Sequence, residues 1–134
     1  VKYEINSEGR VVALLSFGDV VAGDVGGFID SEDNLSQTGN CWVYDNARVY
    51  GNAQLSEDAK VFGSALIYNM ATVYGTASVY DNAMVFDNAQ IYGNAKVYGN
   101  AKVYGDAKAL DNAEIFGDAQ VYGDAQITSN ARIN

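Results

Sequence analysis

The sequence predicts an all-β protein, a parallel β-helix coiled about a single axis, and two observations predict it. From Val43 to Arg132 the chain is one six-residue phrase repeated fifteen times without a gap, from VYDNAR to ITSNAR. Within the phrase, position 1 is Val, Ile or Leu in every unit except the one opening at Ala109, and position 5 is Ala in all fifteen. A short fixed period of this kind marks a stacked solenoid, in which each unit buries its apolar face only against its neighbours. The organisation expected is an N-terminal cap over residues 1–42, a hairpin and an irregular first coil, followed by the repeat body over residues 43–134.

Composition narrows the function classes. At 134 residues the chain is one domain's worth. It has no apolar run long enough to cross a bilayer. No basic-then-apolar leader opens it, although it starts on Val and an earlier segment is compatible with that. Cys41 is the lone cysteine, so no intrachain disulfide forms, and a cytoplasmic location is the expectation. Seventeen acids against eight bases give a formal charge of −9, the opposite of the basic patch that phosphate backbones require. Nucleic acid and membrane are therefore not expected partners. The chain also contains no proline and no histidine.

Taken in order, Val1, Tyr3 and Ile5 alternate with Lys2 and Glu4, as in a half-buried strand with its polar residues outward. Asn6-Ser7-Glu8-Gly9 is turn chemistry, and Arg10 to Phe17 reads as a second strand. The hairpin so formed is expected to lid the first coil, whose backbone edge would otherwise be open. Residues 18–42 are irregular and rich in Gly, Asp, Ser and Asn. Ile29, Leu35 and Cys41 are spaced by six and fall, by number, in phase with the later alanines. An imperfect coil is expected there, with Cys41 facing inward and inert. Asp30, Glu32 and Asp33 lack the spacing of a calcium loop and read as a solvated acidic loop.

In the repeats, strand side chains alternate faces. If position 1 points in, position 5 of the preceding unit also points in, and positions 2 and 6 point out. Positions 3 and 4 are mostly Gly, Asp or Asn, residues that accept a positive φ at low cost, and so belong at corners.

The unbroken [VIL]-x-x-x-A-x register resembles the hexapeptide-repeat, left-handed β-helix superfamily. The segment GDVGGFIDSEDNLSQTGNCWVYDNARVYGNA also looks like the opening of small bacterial and prophage-encoded hexapeptide proteins, some labelled transferases or polymer-forming proteins on fold alone. The resemblance implies left-handed coiling, three units per triangular turn and hence about five 18-residue turns. It also implies comparison with the superfamily's acyltransferases, which use a histidine base, and with a sister branch that holds zinc through histidines. This chain has no histidine for either role and no inserted loop between its repeats. No catalytic residue, cofactor or metal is therefore assigned. The chain departs from the superfamily at position 2. Small residues are usual there, but here it is Tyr or Phe in every unit except those with Ser56, Leu110 and Thr128.

Stacking every third unit sorts position 2 into three files. The first is the aromatic ladder Tyr44, Phe62, Tyr80, Tyr98 and Phe116. The second is Tyr50, Tyr68, Phe86, Tyr104 and Tyr122, and the third, broken, is Ser56, Tyr74, Tyr92, Leu110 and Thr128. Rings one rung apart are expected to stack on one another and brace the sheet. Position 6 is mostly polar, yet on the second face it includes Leu66 and Met84. Leu66, Tyr68, Met70, Met84 and Phe86 thus form an outward apolar cluster, the expected interface.

The function expected is a non-catalytic structural or protein-interaction module. It would self-associate as a homo-oligomer through an aromatic-rich flat face, or through the open strand edge at Ile133-Asn134, or bind an unidentified protein partner. The alternatives are a carbohydrate-binding or adhesion module that stacks glycan rings on the tyrosine ladders, and a degenerate hexapeptide acyltransferase.

Overall fold

A computed structural model describes residues 1–134. The fold is all-β, a parallel solenoid of about six turns with a single 3-10 turn, Glu32–Asn34, as its only helical element. Three strands precede the regular coil: β1 (Tyr3–Ile5), β2 (Arg10–Ala13) and β3 (Val25–Ile29). β4 (Trp42–Val43) then leads into fifteen two-residue strands, β5 to β19, running from Arg48–Val49 to Arg132–Ile133 at six-residue intervals. Each spans positions 6 and 1 of the repeat and pairs in parallel with a strand eighteen residues away, as Ser78 does with Lys96 and Val79 with Val97. Three sheets result, of eight, six and five strands.

The core follows from the alternation. Every position-1 side chain from Val43 to Ile115 and every position-5 alanine from Ala47 to Ala113 is at most 1% exposed. Alanine at position 5 keeps the shaft narrow enough for the position-1 aliphatics of three walls to meet. Corners are made the same way fifteen times. The position-3 residue takes a φ between 55° and 67° whether it is Gly, Asp, Asn, Glu or Ser, and the position-5 N–H closes onto the position-2 carbonyl, as Ala47 does onto Tyr44 at 3.1 Å. Successive corners nearly touch. A Cβ placed on Gly93 would lie 2.8 Å from the amide of Asp111 in the next turn, so that file needs glycine for space as well as for φ.

The position-3 amide has no backbone acceptor. An acid at position 3 supplies one from the turn before: Asp45 accepts from Gly63, Glu57 from Gly75, Asp81 from Gly99, Asp87 from Gly105 and Asp111 from Ser129, at 2.8–3.0 Å. The corner acids are thus used by the backbone, one rung down.

Residues 25–42 make the imperfect first coil that was expected ahead of the five regular turns, which gives about six turns in all. The phase of this first coil differs from the one expected. Ile29 pairs with Val49 and Leu35 bridges Leu55, which puts both in the aliphatic column, outside the alanine column. The cause is a two-residue insertion between Leu35 and Cys41, which shifts the numbering but keeps the inward pattern. Gly27 takes the place of the alanine: a Cβ there would lie 2.4 Å from the Ala47 carbonyl.

The hairpin β1–β2 forms as expected but adds antiparallel to β3, extending the second face to eight strands. β2 ends at Ala13, short of Phe17, because the chain turns to bring Phe17 edge-on to Trp42, with centroids 5.3 Å apart. The alternation expected for β1 fails at its start. Val1 is exposed, whereas Lys2 is buried at 4%. The reason lies in the stacking. Outside the strands, each turn donates its N–H groups to carbonyls of the turn after it, as Tyr44 does to Val61. Carbonyls of the first turn therefore have no preceding turn to serve them. Side chains do so instead: Lys2 Nζ donates to Gly39 and Cys41 (3.2 and 3.0 Å), and the Tyr3 hydroxyl to Leu35 at 2.5 Å.

Candidate interaction surfaces

Position 2 follows each strand, and its side chain lies half-buried along the prism wall in every unit except that of Tyr122, which is exposed. On the first face, Phe62–Tyr80, Tyr80–Tyr98 and Tyr98–Phe116 stack at 4.6, 4.9 and 5.3 Å with planes within 9° of parallel. Tyr44 meets Phe62 edge-on, at 6.2 Å and 84°. On the second face, Tyr50, Tyr68, Phe86, Tyr104 and Tyr122 form one continuous stack at 4.9–5.3 Å. On the broken third face, Tyr74 and Tyr92 stack at 4.9 Å.

Parallel rings at these distances cover each other's faces and turn only edges and hydroxyls to solvent. The hydroxyls are also anchored: Tyr98 to Glu114 at 2.8 Å and Tyr104 to Gln120 at 3.2 Å, each to position 6 of the next turn. The hydrogen bond to Glu114 raises the Tyr98 phenol above its ordinary pKa, and burial does the same for Tyr68, Tyr74 and Tyr80. The ladders therefore brace the walls. A pyranose ring needs an open aromatic face, which the inner members do not offer.

The residues expected to form the interface are adjacent. Leu66 and Met84 are register partners on neighbouring strands, and Tyr68 and Phe86 stack beside them at 5.0 Å. Met70 sits at the corner, 61% exposed. The sheet extends this cluster into one file of register partners across the second face: Arg10, Phe28, Arg48, Leu66, Met84, Lys102 and Gln120. Both Arg10 and Arg48 lie 4.1 Å from the centre of the Phe28 ring. Arg10 donates to the Gly26 and Asp45 carbonyls and to Asn46, whereas the Arg48 guanidinium has no hydrogen-bond acceptor. A recess of about 180 Å³ beside it is lined by Phe28, Ile29, Asp30, Arg48 and Tyr50. Sequence reasoning missed this sandwich because Phe28 lies outside the six-residue phase.

Charge is sorted by position. All six bases after Val43 (Arg48, Lys60, Lys96, Lys102, Lys108 and Arg132) stand at position 6 on strands, whereas every acid there except Glu114 stands at a corner. The walls are cationic or neutral, and the prism edges are acidic. The only ion pair joins Lys60 to Asp19 at 3.3 Å. Asp19 also accepts from the Tyr44 hydroxyl at 2.7 Å, a bond that lowers the carboxyl's pKa.

Cys41 faces inward and is buried, with burial raising its thiol pKa. Its near neighbour Lys2 is lowered by the same burial. Asp30, Glu32 and Asp33 flank a short cap: Asn34, fully buried, accepts from the amides of Asp30 and Ser31 and donates to the Gly51 and Ala53 carbonyls. No group of three His, Cys, Asp or Glu residues is placed to hold a metal ion. No helix is long and apolar enough to cross a membrane.

Fold and repeat together define a hexapeptide-type β-solenoid. The family model described as the YdcK beta solenoid repeat matches residues 43–57 and 89–105. The chain is also similar to a protein named "Uncharacterized acetyltransferase YdcK" from Escherichia coli (strain K12), at 53% identity over 36 residues. That match covers 27% of this chain and 11% of the relative, so the chain spans a small part of the relative's length.

Proposed function

We propose that the chain is a non-catalytic protein-interaction module whose docking surface is the second face. The observation that supports this reading is the file Arg48–Leu66–Met84–Lys102, an apolar pair bracketed by two cations on the largest sheet. Polar residues at Leu66 and Met84 would keep such a wall in water, and apolar ones there favour cover by a partner. The neighbouring ladder stiffens the wall, so little conformational entropy is lost on docking.

The test is capture from native lysate with the wild-type protein and with Leu66→Lys/Met84→Lys. Proteins retained by the wild type should be lost with the variant while its circular dichroism is unchanged. Equal retention by both would remove the second face from the reading.

The name of the relative favours a second reading, a transferase handling an acetyl donor. The sequence offers no histidine base, and the repeats run without an inserted loop. Titration calorimetry with acetyl-CoA separates the two: saturable heat supports the transferase reading, and its absence supports the module.

A further inference from the structure

The partner of the second face can be specified further, given that this face is the docking surface. Its file has an apolar centre between two cations three rungs apart, about 14 Å at the 4.7–4.9 Å spacing between strands. A face-to-face twofold dimer is disfavoured by that arrangement. An axis midway between Leu66 and Met84 would set Arg48 against the partner copy's lysine at position 102, opposing like charges at both ends.

Another surface of the same chain has the complementary pattern. At the corner after the third face, the stacked position-3 residues are Glu57, Gly75, Gly93 and Asp111. The first and last are exposed carboxylates, again three rungs apart. Between them lie two glycines, each preceded by a tyrosine, and Tyr74 and Tyr92 are stacked 4.9 Å apart. The middle of this strip therefore carries no charge, and its smooth glycine backbone is flanked by ring edges. In the repeats, Glu57 and Asp111 are the only acids three rungs apart in one file, and Arg48 and Lys102 are the only bases so placed. Both strips belong to one 18-residue lattice, so their spacings match without distortion.

We infer that the second face docks onto the Glu57–Asp111 corner of a second copy of this chain. Arg48 meets Glu57, Leu66 packs over Tyr74-Gly75, Met84 packs over Tyr92-Gly93, and Lys102 meets Asp111. The Arg48 guanidinium, 4.1 Å from the centre of the Phe28 ring and without a hydrogen-bond acceptor, has its N–H groups free for a carboxylate. Glu57 accepts from Gly75 through Oε2 alone, leaving Oε1 for the contact. The contact joins two different patches, so it repeats around a ring or along a fibre.

Charge reversal on each side tests this by light scattering over a concentration series. The wild type should associate, and Arg48→Glu/Lys102→Glu and Glu57→Lys/Asp111→Lys should each weaken association at least about tenfold, since close interfacial charge pairs couple by 1.5 kcal/mol or more. An equimolar mixture of the two variants should recover association, because every contact then pairs opposite charges. Glu57→Gln/Asp111→Asn, which keeps the corner acceptors, should weaken association while leaving the melting curve intact. A wild type that stays monomeric, or a mixture that fails to recover, overturns the inference. Loss of lysate capture by Leu66→Lys/Met84→Lys in that case would still leave the second face as a docking surface for another partner.

Discussion

The first forty-two residues and the ninety that follow build the same coil by different means. In the repeats, one rule applies fifteen times: an aliphatic and an alanine inward, an aromatic on the wall, a positive φ at the corner. No single residue is indispensable to the pattern, which is why Ala109 can stand where a branched aliphatic belongs and still be fully buried. In the first turn the rule is broken by an insertion, and the coil closes only because particular side chains replace missing backbone partners. Lys2 and Asn34 each satisfy two or more main-chain groups there, and the Tyr3 hydroxyl satisfies the Leu35 carbonyl. The difference teaches that a solenoid's body is specified by composition at each phase, and its end by individual hydrogen-bonding groups.

The largest effect that would break this comparison is expected at Asn34. Asn34→Leu removes the side-chain partners of two amides and two carbonyls at once, the Ala53 carbonyl among them buried, and leaves none of the four its present bond. At about 1–3 kcal/mol for each unsatisfied group, more than about 3 kcal/mol of stability should be lost in denaturant unfolding. Asn100, at a repeat corner, is exposed and reaches only Asp118, at 3.4 Å. Asn100→Leu should change stability by no more than about 0.5 kcal/mol. Equal costs at the two sites would erase the distinction between cap and body.

Within the body, the rule predicts interchangeability. Ile67 and Ile91 are both fully buried at position 1, in different walls. Ile67→Ala and Ile91→Ala should each cost about 2–5 kcal/mol and agree with one another closely. Ile127, in the last turn, is only partly buried, and Ile127→Ala should cost clearly less. Unequal losses at Ile67 and Ile91 would show that the turns differ in ways the period does not describe.

What was legible in the sequence divides along the same line. Fifteen alanines in one phase determined strand, corner and core over residues 43–134, because the period is a direct image of the shaft. The stacking of Tyr68 on Phe86 and the adjacency of Leu66 and Met84 followed from counting by eighteen. Counting failed wherever two residues had been inserted. Ile29 and Leu35 were assigned to the wrong column, and Phe28 was never recognised as a member of the second face. Lys2 was misplaced because alternation treats lysine as a surface residue, whereas here its ammonium serves as a donor for two orphaned carbonyls. Glu57 and Asp111 were visible as corner residues, but their pairing across three rungs appears only once the files are aligned in space.

The smallest expected effect sharpens the comparison through the phenols. Six tyrosines, Tyr3, Tyr44, Tyr68, Tyr74, Tyr80 and Tyr98, are raised above the ordinary value of 10.0, with Tyr3 in the cap and Tyr44 in the first repeat unit raised furthest. Burial is the leading cause for all but Tyr98, where the Glu114 hydrogen bond leads. A raised folded pKa means the native state holds protons that the unfolded state has released. Its stabilisation is complete below pH 10 and is lost as the pH climbs through the folded values. Lys2, lowered by burial from 10.5, acts in the opposite sense, gaining stability between its folded value and 10.5, but it is one group against six. Absorbance of tyrosinate followed against pH, beside far-ultraviolet circular dichroism, checks the order in which these six phenols ionise. They should ionise above pH 10, Tyr3 and Tyr44 last and together with loss of β-structure. Tyr3→Phe should remove the latest-titrating step and, by orphaning the Leu35 carbonyl, lower the midpoint of alkaline unfolding. Tyr80→Phe should keep the ladder and leave that midpoint nearly unchanged, and a shift as large as that of Tyr3→Phe would mean the ladder, rather than the cap, controls the alkaline limit of the fold.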